Sequence, residues 1–303
     1  MAARRQPGAP PRPRLRVALA QIAPMLGDFR RNLELHLRVA QAAAGRGAQL
    51  VIFPELSLTG YRLQDLVAEV AVRIDDPTVL EPLLKLSRRI ALVIGLVEES
   101  EGHRYYNSAL FLEGGRIRHV HRKAYLPTYG MFEEGRYFSS GDALQAFRAR
   151  TGRFGMLVCE DLWHPATALV MAQDGADYLL VLSNGPTHGL ESAGEPASRR
   201  TWRDLLKVTA QMQTVFMICV NRVGFEDGVN FGGSSSVHDP FGRLIAEAGF
   251  LEEETLVCDL ERTTLRQARI AFPLLRDERL PLLSREVQRL LALPAGRRGP
   301  GGT

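Results

Sequence analysis

No apolar run in the 303 residues approaches the roughly 18 needed to cross a bilayer as a helix, so no membrane span is expected. Cysteine is scarce. Cys159, Cys219 and Cys258 stand far apart, which makes neither a disulfide framework nor a zinc knuckle and fits a reducing, cytoplasmic compartment. The N-terminus, MAARRQPGAPPRPR, has basic residues but no apolar stretch behind them, so a secretory signal is not expected. Residues 1–14 carry four arginines and residues 293–303 carry two, with no acid in either; without those six charges the formal net charge of +4 becomes −2. Both segments are rich in Pro or Gly and are expected to be disordered tails. The body between them shows no basic face interleaved with aromatics, which argues against a nucleic-acid partner. No fixed-period repeat or linker interrupts residues 15–292, which read as a single domain.

What is there is alternation. Residues 15–22 (LRVALAQI), 50–53, 90–98, 154–158, 178–183 and 215–221 are short apolar runs with the length of buried strands. Helix signals lie between them at 29–44, 77–89, 162–175 and 199–213, the first opened by Asp28 and stopped by Gly45 and Gly47. Residues 107–112 and 116–121 read as a hairpin around Glu113-Gly114-Gly115. Segments 234–238, 243–247 and 256–260 are strand-like, with turns at Asp239-Pro240-Phe241-Gly242 and Gly249, and helices follow at 262–269 and 280–291. Strands alternating with helices in both halves place the chain in the α/β class. Residues 128–141 (TYGMFEEGRYFSSG) form a loop long enough to suggest function, and 184–198 a polar excursion.

Three reactive groups share one kind of position: Glu55, Lys123 and Cys159 each follow a strand. In α/β folds, ligand sites gather at the carboxyl ends of strands. A thiol between a buried strand and a helix mouth suits a nucleophile and an oxyanion, though free Cys is equally a core residue. Glu55 by itself also reads as an exposed turn acid. Cys219 and Cys258 sit inside strand-like runs and read as inert. His119 and His121 would share a strand face, but no third ligand is evident, so no metal site is assigned. His164, five residues past Cys159, permits a Cys-His pair, yet the Glu and Lys segments explain more. Trp163 and Trp202 read as packing or pocket wall.

The segments FPEL (53–56), HRKAYLP (121–127) and LVCEDLWHP (157–165) resemble the three signatures of the nitrilase, or carbon–nitrogen hydrolase, superfamily. The resemblance spans residues 15 to 260 or so. It implies a four-layer αββα sandwich and a Glu-Lys-Cys triad, here Glu55, Lys123 and Cys159, with Glu134 as a second glutamate and Glu133 the poorer match. The backbone N–H of Glu160 is then the natural second oxyanion donor. No cofactor or metal is implied. The run KAYLPTYGMFEEGRYFSSG followed by CEDLWHP most resembles the glutaminase domain of glutamine-dependent NAD synthetases. Two departures stand out. No SGGxDS-like ATP loop is present, so no synthetase half is expected, and SNGPTHG (183–189) replaces the Ser-rich segment that helps bind glutamine in those relatives. Tyr129, Trp163, His188 and Arg199 are candidate substrate contacts. The leading expectation is a free-standing amidase acting on a small amide through a Cys159 thioester. The alternatives are a glutaminase subunit feeding a separate synthetase and a catalytically silent binding protein of the same fold. Family members pair their outer helix layers, so a homodimer or larger homo-oligomer is expected, with residues beyond 260 at the interface.

Overall fold

The computed structural model describes residues 14–187 and 196–294, so His188 and the expected tails apart from residues 14, 293 and 294 lie outside the described residues; Arg14, counted in the expected tail, instead opens a strand and pairs with Asp259 at 3.2 Å. Two sheets carry the chain. The first runs, in spatial order, Glu254–Glu261, Arg14–Gln21, Leu50–Ile52, Ala91–Glu99, Tyr105–Glu113 and Arg116–Arg122, with Val72–Arg73 paired to Ala91–Glu99. The second runs Leu244–Glu247, Ser236–His238, Phe216–Asn221, Tyr178–Ser183, Gly152–Val158 and Phe147–Ala149. Central strands are parallel in both sheets, and antiparallel strands close the edges.

Period two explains the layering. Leu15, Val17 and Leu19 point between the sheets onto Phe154, Met156, Val158, Leu180 and Ile218. Their neighbours Ala18 and Ala20 point outward to Ala40 and Ala43 of helix Phe29–Gly45, and to Leu80 and Leu83. On the far side, Leu157, Leu179, Val181 and Met217 meet Ala168 and Met171 of helix Pro165–Gln173 and Leu206 and Ala210 of helix Ala197–Gln213. The order is helix, sheet, sheet, helix, the expected αββα sandwich. Strands buried on both faces read as unbroken apolar runs, and each larger side chain so buried is worth about 1.5–3 kcal/mol.

Local signals act where expected. The Asp28 carboxylate accepts from Arg31 N at 3.0 Å, and Gly47 ends that helix at φ +79°. Asp239 accepts from Phe241 N and Arg243 N at 2.8 and 2.9 Å, closing the 239–242 turn. Two helix expectations need correction. Residues 77–89 divide into a 3-10 segment Pro77–Leu80 and helix Glu81–Leu86. Residues 162–175 do not form one helix: a 3-10 turn, Cys159–Trp163, precedes helix Pro165–Gln173, because proline has no N–H to donate and fits only the first turn. The long loop holds one helical turn, Glu134–Tyr137. Strand Phe147–Ala149 and the hairpin Val223–Glu226 with Val229–Gly232 are additional; both are too short for a periodic signal. Among the described residues no helix is long and apolar enough to cross a membrane.

Candidate active site

The ends of the Leu50–Ile52, Arg116–Arg122 and Gly152–Val158 strands bring Glu55, Lys123 and Cys159 to one buried centre. Glu55 is 1% exposed, which corrects the reading of an open turn acid. Its Oε1 accepts from Asn107 Nδ2 at 2.7 Å and Lys123 Nζ at 2.8 Å, and its Oε2 from Asn184 N at 2.9 Å. Asn184 Nδ2 also donates to the Glu55 carbonyl at 2.9 Å. The turn lies hard against Gly95, where an added Cβ would come within 2.4 Å of Leu56 N. Any side chain at 95 therefore displaces the glutamate.

Lys123 is equally buried and held at both ends. Its N–H donates to Asn107 O at 2.9 Å, its carbonyl accepts from Gly141 N at 2.7 Å, and Nζ reaches Glu134 Oε1 at 2.8 Å. Glu134 is buried and Glu133 exposed, so only the former meets the lysine. The Tyr61 hydroxyl donates to Glu134 Oε1 at 2.6 Å. Burial alone would push the Lys123 ammonium down, but the charges of Glu134 and Glu55 reverse this and hold it well above its ordinary value. Burial lifts Glu134 to about 7 against the pull of Lys123.

Cys159 opens the 3-10 turn at φ +46°, a left-handed conformation that costs a residue with a Cβ about 1–2 kcal/mol. The Ser183 hydroxyl donates to its sulfur at 3.5 Å, and the next residue, Asn184, is the one that binds Glu55. Burial, then the negative Glu55, push the Cys159 thiol well above its usual value; Lys123 and Ser183 pull weakly the other way. The thiol therefore rests protonated, and a nucleophilic role would require a base.

Around this centre, Tyr129 is 57% exposed and donates to Glu160 Oε2 at 2.9 Å. Trp163, 41% exposed, meets Trp202 edge-on at 5.7 Å. Arg199 is ion-paired to Glu247 at 3.1 Å and, with Trp202, Phe250 and Ser183, lines a small cleft. His164 stacks on Tyr125 at 3.5 Å and its Nε2 lies 3.9 Å from Glu160, so it is engaged away from a cysteine–histidine pairing. His119 stacks on Phe147 at 4.2 Å, while His121 Nε2 bonds Asp161 at 2.8 Å. Among the described residues no group of three or more His, Cys, Asp or Glu side chains could hold a metal ion. Burial raises Cys219 to about 12 and Cys258 to about 11, which leaves both unreactive.

Sequence reasoning missed Asn107, Asn184, Ser183 and Tyr61. Asn107 carried a signal, a polar residue inside the strand Tyr105–Glu113, where burial demands a partner.

Residues 16–270 match the carbon-nitrogen hydrolase family model. The chain is 34% identical over 252 residues to a glutamine-dependent NAD(+) synthetase of Thermotoga maritima, covering 82% of this chain and 42% of that protein. It is 33% identical over 293 residues to an (R)-stereoselective amidase of Pseudomonas sp., covering 94% of this chain and 97% of that one. The chain thus spans about half the length of the synthetases it matches. An amidase of Nesterenkonia sp. AN1, solved as an E41Q mutant with the acetamide moiety of fluoroacetamide covalently added at its active-site cysteine, superposes with a TM-score of 0.76 at 26% identity. That superposition covers 92% of this chain and 99% of that one. With its αββα layers and its match across residues 16–270, the chain belongs to the carbon–nitrogen hydrolase family of the nitrilase superfamily.

Proposed function

We propose that this protein hydrolyses the amide bond of a small substrate through a thioester on Cys159, releasing ammonia or an amine. One observation carries the reading: a buried Glu55–Lys123–Glu134 network beside a cysteine held in a left-handed turn. Glu55 takes the thiol proton as sulfur adds to the carbonyl carbon. The Lys123 ammonium and the N–H of Glu160 face the developing oxyanion; losing one such donor typically costs about 10²–10³ in rate. The nitrogen leaves with the proton, met by Glu134, and the carbonyl carbon stays on sulfur. Glu55 then deprotonates a water that releases the acid and restores the thiol. Tyr129, Trp163 and Arg199 border the substrate. The amidase likeness over nearly the full length of both chains supports this reading.

Purified protein is expected to release ammonia or amine from at least one member of a panel of small amides including glutamine, without ATP. Release only after a synthetase and ATP are added would move the assignment to a glutaminase subunit, the reading favoured by the 34% identity to an NAD(+) synthetase. Binding without release or adduct would leave a silent scaffold.

Glu134 supplies a pH test. With a value of about 7, it is protonated below that pH, where it can meet the leaving nitrogen and leave the Lys123 charge less neutralised. The rate constant kcat/KM is expected to fall as pH rises through 7, and Glu134→Gln to remove that limb while lowering activity. A profile flat from pH 6 to 8.5 contradicts this role. The same raised value means the folded state holds the extra proton between its ordinary range and pH 7, so stability falls across that window as pH rises.

Assembly and compartment belong to this reading. Helix Leu280–Leu291 buries none of its residues, and Leu280, Leu283, Val287 and Leu290 form one exposed stripe. A homodimer or larger homo-oligomer formed through residues beyond 260 covers it. Sedimentation showing only the 33.6 kDa monomer at micromolar concentration overturns that. Residues 15–292 act as one hydrolase unit, in a cytoplasm that keeps the nucleophilic thiol reduced.

A further inference from the structure

Asp161 is completely buried, yet it is neither the nucleophile nor one of the groups around the lysine ammonium. Its carboxylate collects four donors from the two segments that carry Lys123 and Cys159. Oδ1 accepts from Ala124 N at 2.9 Å and Tyr125 N at 3.0 Å, the two residues after the lysine. Oδ2 accepts from Val158 N at 2.9 Å, the residue before the cysteine, and from His121 Nε2 at 2.8 Å, two residues before the lysine. The backbone of Asp161 is fixed as well, because its carbonyl accepts from Thr167 Oγ1 at 2.7 Å. Burial works against the charged carboxylate, but the bonds from His121, Val158 and Tyr125 outweigh it and keep the group below its usual range.

We infer that Asp161 and His121 are positioning residues that set the register of the Lys123 ammonium against the Cys159 sulfur. The inference rests on the hydrolase reading for its consequence, and on these bonds for its geometry. Lys123 has its own strand contacts on one side, through Asn107 and Gly141; on the other, the Asp161 carboxylate bonds backbone N–H groups of both its loop and the turn of the nucleophile, where the Tyr129–Glu160 bond and the Tyr125–His164 stack join side chains alone. That turn is strained at Cys159, and a strained conformation persists only where its surroundings over-determine it. An acceptor on each side of the carboxylate is the minimum that spans both segments. Asparagine cannot replace it, since its amide would turn a donor toward one of the two donor pairs.

Asp161→Asn, His121→Leu and His121→Gln test the inference, because glutamine can present a donor where the histidine Nε2–H lies. Asp161→Asn and His121→Leu are expected to lower kcat about 10²-fold with KM within threefold, as for a misplacement of about 1 Å, and His121→Gln to recover most of the loss. A second readout needs no substrate. The groups facing the sulfur are Glu55, Glu134, Lys123 and Ser183, and of the charged ones only Lys123 favours the thiolate. Withdrawing the ammonium should therefore slow alkylation of Cys159 by iodoacetamide at pH 8 about tenfold, the change that accompanies one unit in thiol pKa. Peptide mass mapping separates Cys159 from Cys219 and Cys258. Faster alkylation, with the sulfur merely uncovered, or kcat unchanged in folded variants overturns the inference. If Asp161→Asn is insoluble, the two His121 variants decide. If wild type turns over no amide, the alkylation rates still decide, so this inference and the hydrolase reading fail separately.

Discussion

Cys159→Ala is expected to lose about 10⁶-fold in kcat, the order seen when the nucleophile of a hydrolase triad is deleted, and to form no covalent adduct with any amide. Intact-mass spectrometry is the check: wild type should gain the acyl mass of its substrate and lose it on standing, and the alanine variant should stay at its own mass. Folding should barely change, because the sulfur makes one long hydrogen bond to Ser183 and alanine keeps the apolar contact of the Cβ. Alanine also keeps the left-handed strain at φ +46°, whereas Cys159→Gly relieves about 1–2 kcal/mol of it. The pair thus separates chemistry from folding. Both variants should be inactive, with glycine favoured by the backbone and alanine by the side-chain packing it retains. An alanine variant with adduct or more than 1% of wild-type turnover removes Cys159 from the mechanism.

Lys123→Met should do damage of a different kind. The ammonium stands between the carboxylates of Glu55 and Glu134, all three nearly inaccessible to water. Deleting it leaves two negative charges facing each other in a dry site. Breaking a buried pair by removing one partner typically costs about 3–5 kcal/mol. The carboxylates can escape the penalty by taking up protons, so their values rise and the folded variant binds more protons than the unfolded chain. Stability of the variant should then recover as pH falls from 7 to 5 and decline as it rises. Activity should fall at least 10³-fold, because the oxyanion loses its charged donor and Glu55 ceases to be a ready base. Urea unfolding at the two pH values, alongside kcat, measures both effects. A stability loss under 1 kcal/mol at pH 7, or kcat within tenfold of wild type, contradicts the account. Lys123→Arg is not expected to be a remedy, since a planar guanidinium does not reproduce a compact ammonium bonded at 2.8 Å to both Glu55 and Glu134.

Much of the architecture was legible because its causes are local. Unbroken apolar runs marked strands buried on both faces, and Asp28, Gly47 and Asp239 closed helix and turn by bonds to their own neighbours. Pro165 shows the limit of periodicity, as the apolar pattern of 162–175 continues through a residue that must begin a helix. The three motifs placed Glu55, Lys123 and Cys159 at strand ends and the resemblance grouped them as a triad with Glu134, but neither pointed to Asn107, Asn184 or Tyr61 around them.

The chain alone thus determined the layers, the capped ends and the reactive residue types, each governed by neighbours a few positions away. Tertiary structure decided that Glu55 is buried and bonded to Asn184, 129 residues on. It also decided that Tyr61 meets Glu134 across 73 residues, that Asp161 joins His121 across 40, and that Arg199 is engaged by Glu247. A buried polar group must find partners, but which donors reach it depends on how loops from two sheets converge, and no local pattern encodes that.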